Sequence, residues 1–240
     1  MPNWDIIRIY ITGPEDKIKE FEGKVLRPEE DADGEFQRTF SFDRIKGRPE
    51  ELANTTSPDP KPEVRKVKDL QGNEIEIEVY RDVINDWEIK QAISRGEAPP
   101  EPILCNNATS AQQQELRRKY GSSNWYDWNC DNWGTKWDCS ESTYDEEDKI
   151  LQFQTPWACP QEIISEMAGM FPDLNFTGTF ADEDFGSNVG NIEDGGTFHL
   201  EDGSEEAYET AATLWNYEGY YDDEKGKWIH EEEEEEEEEE

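Results

Sequence analysis

Residues 121–240 carry 35 Asp and Glu against 4 Lys and Arg, and this imbalance limits what the chain can fold into more than any motif in it. Residues 1–120 are closer to balance, with 25 acids and 19 bases. The last ten residues are all glutamate, yet residues 121–230 still hold 25 acids against 4 bases, a net of −21. The acidity therefore belongs to the body of the protein as well as to its end. Such a surface repels nucleic acid and anionic membrane and suits a partner with a basic face.

Whether so acidic a chain can order depends on its rings. Acidic chains poor in aromatics are usually disordered. Here aromatic residues are 12% of 240, enough to order a core although the mean hydropathy is −1.06. The expectation is a globular body with disordered patches, as one large domain or two small ones. The four cysteines, Cys105, Cys130, Cys139 and Cys159, are too few and too widely spaced for a disulfide framework. They form no CxxC pair, which argues against a zinc or iron–sulfur site, and free thiols in a reducing compartment are expected. The start, MPNWDIIRIYITG, has no basic segment leading into an apolar run, and no stretch approaches about 18 apolar residues. Neither a signal peptide nor a membrane span is expected, and the cytosol is the default location.

Along the chain, Asp5–Gly13 reads as a strand, and Pro14 suits the first turn of a helix carrying Ile18, Phe21 and Val25 on one side. Residues 29–34 read as a turn, Phe36, Phe40, Phe42 and Ile45 as a short buried stretch, and 54–62 as a Pro-rich loop. The run NEIEIEVY (73–80) alternates as a strand or hairpin arm. Val83, Ile84, Trp87, Ile89 and Ile93 predict a helix ending at Gly96. Thr109 or Ser110 would cap a polar helix through Lys119, closed by Gly121. After an acidic loop at 141–148, KILQFQTP (149–156) reads as a strand, and Pro160 opens a helix that stops before Pro172. Residues 174–180 read as a strand, 181–188 as an acidic turn, and 189–200 as a hairpin about Gly195-Gly196. Tyr208, Ala211, Ala212 and Trp215 give a short helix after Ser204, and residues 231–240 hold nothing that could be buried. The pattern is α+β, one sheet with helices on one face.

The most distinctive segment is NWYDWNCDNWGTKWD (124–138). Trp125, Trp128, Trp133 and Trp137 fall at spacings of 3, 5 and 4, which on a helix puts most of them along one side. Beside Asn and Asp they could form a carbohydrate or base platform, or a core whose indole N–H groups meet those polar neighbours, the reading preferred here. This block, the start Met1-Pro2-Asn3-Trp4 with Gly13-Pro14, and FQTPWACPQEIISEMAGMFPDLNFTGTFADEDFGSNVG (153–190) together resemble the YubB-type ferredoxin-like proteins of phages and plasmids. The resemblance covers the first fourteen residues and roughly 120–200. It implies a ferredoxin-like βαββαβ sandwich, a topology without iron–sulfur chemistry, and a mobile-element origin, with no catalytic residues to carry over. The expected organisation is a core from 1–27 and 120–203, an insertion or small subdomain at 28–119, an acidic aromatic extension at 204–230 and a disordered polyglutamate tail at 231–240.

Tests for chemistry give little. Asp182, Glu183 and Asp184 with Asn188 could offer oxygen ligands to Ca²⁺ or Mg²⁺, but the Asp-x-Asp-x-Asp-Gly pattern with a distal Glu is absent, and a solvated or turn-stabilising acidic loop is preferred. His199 and His230 lie near no nucleophile motif. Gly195-Gly196 and Gly219 fit no phosphate loop, and Lys61, Arg65, Lys66 and Lys68 are flanked by acids. No cofactor, metal or catalytic residue is expected, and an enzyme is the least favoured class. The favoured one is a phage interaction protein whose acidic surface binds and inhibits a basic-faced host protein, such as a nuclease or other nucleic-acid-binding defence protein, as a DNA mimic. The expected contact residues are Glu141, Asp145, Glu146, Glu147, Asp182, Glu183, Asp184, Glu205, Glu206, Asp222, Asp223 and Glu224. An accessory binding module using the Trp-rich face is the alternative.

Overall fold

Strand β1 (Trp4–Thr12) is rich in β-branched Ile and ends at Gly13, where Pro14 and the acids of the first turn start helix α1 (Glu15–Val25). The computed structural model describes residues 3–30, 36–61, 63–68, 73–79 and 105–230. The expected helix at 83–96 and the glutamate tail lie outside these. A hairpin of β2 (Arg27–Glu30) and β3 (Phe36–Thr39) follows α1, then a 3-10 turn at Phe42–Arg44. Next come α2 (Glu50–Ala53), a hairpin of β4 (Glu63–Lys68) and β5 (Glu74–Val79), α3 (Ser110–Tyr120) and α4 (Trp125–Trp133). The chain continues through β6 (Ser140–Asp145), β7 (Ile150–Pro156), α5 (Gln161–Met170), β8 (Asn175–Asp182), β9 (Val189–Glu193) and β10 (Gly196–His199). It closes with α6 (Glu205–Trp215) and a hairpin of β11 (Gly219–Asp222) and β12 (Lys227–His230). No helix among the described residues is long and apolar enough to cross a membrane.

Six strands form one antiparallel sheet in the order β10-β9-β8-β1-β7-β6. Directly paired residues share a face, so the register fixes the core. Ile7 stands between Phe153 and Phe180, and Ile9 between Leu151 and Gly178. Gly178 is required there, because a Cβ would lie 2.1 Å from the Arg8 carbonyl oxygen. Ile18, Phe21 and Val25 of α1 and Ile163, Ile164 and Met167 of α5 are buried. The Phe21 ring meets Phe176 at 5.8 Å and Phe171 at 5.3 Å. Phe40 and Phe42 pack their rings on Phe153, so the short apolar run around residue 40 belongs to this core.

Two expectations are corrected. The sheet does not carry helices on one face only. Ile6, Ala181 and Val189 point to the opposite face and pack under Ala207, Ala211 and Leu214 of α6. The acidic stretch 141–148 is a loop only from Glu146, since its first part is edge strand β6. Its half-buried Ser140, Ser142 and Tyr144 alternate with exposed Glu141, Thr143 and Asp145, a period of two masked by the charges. A bulge with Glu141 at φ 49° breaks the register between Ser140 and Thr143.

The described residues fall into two compact units, one running up to Gly47 and resuming at Asn129, the other spanning Arg48–Trp128. The β2–β3 hairpin thus groups with the sheet rather than with the middle segment. In the second unit Leu52, Cys105, Ala108, Leu116 and Trp128 are buried. Around them the Asp59 carboxylate accepts hydrogen bonds from Arg117, Ser123, Asn124 and Asn107. Helix α3 has a capping box between Thr109 and Gln112 and ends on Gly121 at φ 82°.

Candidate functional site

Polar groups gather at the end of the sheet where β1 begins and β8 ends. The register sets Asp5 between Thr155 and Asp182, one row beyond the Ile7 layer and on the same face. Asp5 is fully buried and Asp182 is 6% exposed. Burial, reinforced by the neighbouring Asp182, raises the Asp5 carboxyl to about 8, far above the ordinary carboxylate range. Asn188 Nδ2 donates to Asp5 at 3.1 Å, and Asn3 Nδ2 donates to Asp182 at 3.1 Å. The Asp184 backbone N–H donates to Asp182 at 2.7 Å, and Trp215 Nε1 donates to the Asp182 carbonyl at 3.0 Å. Burial and the nearness of Asp5 push the Cys159 thiol well up, which makes it a poor nucleophile.

Beside this pair the Lys136 ammonium joins Trp157 to the ring pair of Trp4 and Trp137. Trp157 follows the last residue of β7 and takes a left-handed backbone at φ 73°, a conformation that costs a non-glycine residue on the order of 1–2 kcal/mol. Its N–H donates to the Asn3 carbonyl at 2.9 Å. Trp137 lies 6.5 Å from Trp4, ring to ring. The Lys136 ammonium sits 3.7 Å from the Trp137 ring centre and 4.3 Å from that of Trp157. The segment is held from below, because Thr135 donates to the Pro156 carbonyl at 2.7 Å and Asn129 to the Lys136 carbonyl at 2.8 Å.

The four tryptophans singled out in the sequence have separate fates. Trp128 and Trp133 are buried, and Trp133 donates to the Lys46 carbonyl and packs on Phe42. Trp125 stacks edge-on against Tyr126. Helix α4 ends at Trp133, so Trp137 is not on it and joins Trp4 and Trp157 instead. Trp157 was not expected at a site. Its signal is an indole directly after a strand that ends in Pro.

The acidic residues also divide. Asp145, Glu146 and Glu147 lie at the opposite end of the sheet, where β6 ends and the β6–β7 turn begins. There Asp145 accepts from two backbone N–H groups of its own turn and Glu146 pairs with Arg38 at 2.8 Å. Asp182 is inside and cannot present its charge. Glu183, Asp184, Glu205 and Glu206 are exposed around the loop after β8 and the start of α6. These two segments are tied by Gly203 N–H donating to the Gly186 carbonyl at 2.9 Å and Asn188 N–H to Asp202 at 3.1 Å. Phe185 of the loop packs on Tyr208, Tyr217 and Trp228, which brings in the β11–β12 hairpin with exposed Asp223 and Glu224. Half-buried Asp222 accepts from the Glu224 and Lys225 N–H groups. Exposed His199 rests its ring on Phe180. Among the described residues no group of three or more His, Cys, Asp or Glu is arranged to hold a metal.

Residues 132–240 match the family model of the ferredoxin-like domain in Api92-like protein. The matched part holds β6–β12, α5 and α6, while β1 and α1 lie before it. The description names a fold and no reaction. No curated protein and no solved structure matches the chain.

Proposed function

We propose that the chain is an interaction protein, built on a ferredoxin-like βαββαβ core, whose acidic end binds the basic face of another protein. The core runs β1-α1-β6-β7-α5-β8, and the strand order β8-β1-β7-β6 fits that topology. One observation carries the functional reading. Residues 150–224 contain 17 Asp and Glu and no Lys or Arg. Six exposed acids of this stretch, Glu183, Asp184, Glu201, Asp202, Glu205 and Glu206, come together where the β8 loop meets α6. Part of their role is local, since Glu205 and Glu206 favour the positive end of the helix. Glu183, Asp184 and Glu201 lie outside the helix and have no such use.

The specific form proposed is charge mimicry of duplex DNA. Carboxylates take the place of phosphates in the groove of a host nuclease or other nucleic-acid-binding defence protein, consistent with the likeness to phage and plasmid proteins. The test is inhibition of a panel of restriction endonucleases and bacterial nucleases in competition with duplex DNA. Binding should weaken about tenfold or more between roughly 0.05 M and 0.2 M salt. The quadruple variant Glu183→Gln, Asp184→Asn, Glu205→Gln, Glu206→Gln should bind weaker still, with a shallower salt slope. An affinity flat in salt, or unchanged in that variant, rules the reading out.

A further inference from the structure

We infer that Trp137 and Trp157 form a receptor for an alkylammonium group, which Lys136 fills in the free protein. In a chain with 60 carboxylates, the Lys136 ammonium contacts two indole faces at 3.7 and 4.3 Å. An ammonium over an indole is the strongest of the aromatic–cation pairings, and two rings around one cation make an aromatic cage. Both rings remain accessible, Trp137 at 39% and Trp157 at 47%, with Trp4 backing Trp137.

The site is built rather than accidental. Trp157 holds a left-handed backbone that glycine would adopt freely, which keeps the indole turned out at the end of β7. The walls are fixed from both sides. Asp138 accepts from Ser41 at 2.6 Å and from the Phe42 N–H at 2.8 Å, and the Trp157 N–H is bound to Asn3. Lys136, by contrast, is a flexible side chain that can swing away without disturbing the backbone. An incoming ammonium therefore competes with a tethered one of the same chemistry, and the apparent affinity of the intact protein is lowered by the fraction of time Lys136 is in place. The ligand is a free quaternary or primary amine, or a lysine side chain on another protein.

The experiment is tryptophan fluorescence of the full chain titrated with tetramethylammonium chloride at constant total salt, and in parallel with a short lysine-containing peptide. Lys136→Ala should show saturable quenching with an apparent affinity about tenfold tighter than the wild type. Trp157→Gly in that background should abolish it while keeping the near-ultraviolet circular dichroism of the folded chain, because glycine fits φ 73°. Quenching by tetramethylammonium alone points to a free amine as the ligand. Quenching by the peptide at lower concentration points to a protein lysine. Non-saturable quenching in Lys136→Ala, or equal quenching with and without Trp157, overturns the inference.

Discussion

At the scale of single residues, Asp5 stands apart. It follows Trp4 at the start of a strand whose other inward residues, Ile7, Ile9 and Ile11, are apolar, and its side chain faces the core next to a second carboxylate. In the unfolded chain it loses its proton near 3.8, whereas in the fold it holds the proton up to about 8. The folded state therefore binds more protons between those values, and this group's contribution makes stability fall as pH rises from about 4 to about 8. The full cost above that range is on the order of 5 kcal/mol. Asp5→Asn keeps the shape and removes the charge. Urea unfolding should show the variant close to the wild type near pH 4 and more stable by a few kcal/mol near pH 9. A wild type no less stable at alkaline pH than the variant would show that Asp5 ionises without penalty. The polar shell from Asn3 and Asn188 explains why the site tolerates two carboxyls at all.

At the scale of elements, α6 decides how much of the sheet is covered. It is capped by Ser204, whose hydroxyl accepts from the Ala207 N–H at 3.2 Å, and it ends on Asn216 in a left-handed conformation at φ 57°. Ser204→Ala should cost about 1 kcal/mol in thermal or urea unfolding. Because α6 lies over Ile6, Ala181 and Val189, the loss should appear in the cooperative unfolding of the whole sheet unit rather than as fraying of a separate helix. The outer strand β10 is protected in a different way. Gln161 at the start of α5 accepts from the Thr197 N–H and hydroxyl and donates to the Gly195 carbonyl at 2.9 Å, occupying in the Thr197 N–H a backbone group of β10 that another strand could otherwise pair with.

At the scale of the whole molecule, 60 acids against 23 bases leave a net of −37, and self-repulsion works against the compact state. Added salt screens that repulsion, with a Debye length of about 10 Å at 0.1 M falling to about 3 Å at 1 M. Sodium chloride should therefore raise the melting temperature while it weakens binding to a basic partner. Calorimetry and binding in the same salt series check both, and a melting temperature that falls with salt would show that ion pairs such as Arg38–Glu22 outweigh the repulsion. The charge is unevenly placed. The β6–β7 turn at one end of the sheet is partly neutralised by Arg38, and Lys149 pairs with Glu22 at 3.0 Å, while the β8 loop and α6 at the other end have no base in their own stretch.

The strands and helices with a clean period are legible in the residues themselves. β1, α1, β5, β7, α5 and α6 are readable because their apolar residues recur at two or at three and four, and the caps at Thr109, Gly121 and Ser204 are local chemistry. The acidity is legible there as well, being a property of composition. Strand β6 was hidden because its half-buried positions are Ser and Tyr beside charged neighbours, so no hydrophobic alternation marks it. Which distant residues share a surface is settled only when the chain closes on itself. Asp5 meets Asp182 through strand register, and Lys136 meets Trp157 because Thr135 is bonded to the end of β7. The acids split between the two ends of the sheet because the β6–β7 turn and the β8 loop leave it in opposite directions. Pairing across many residues depends on register and closure, which local propensity does not encode.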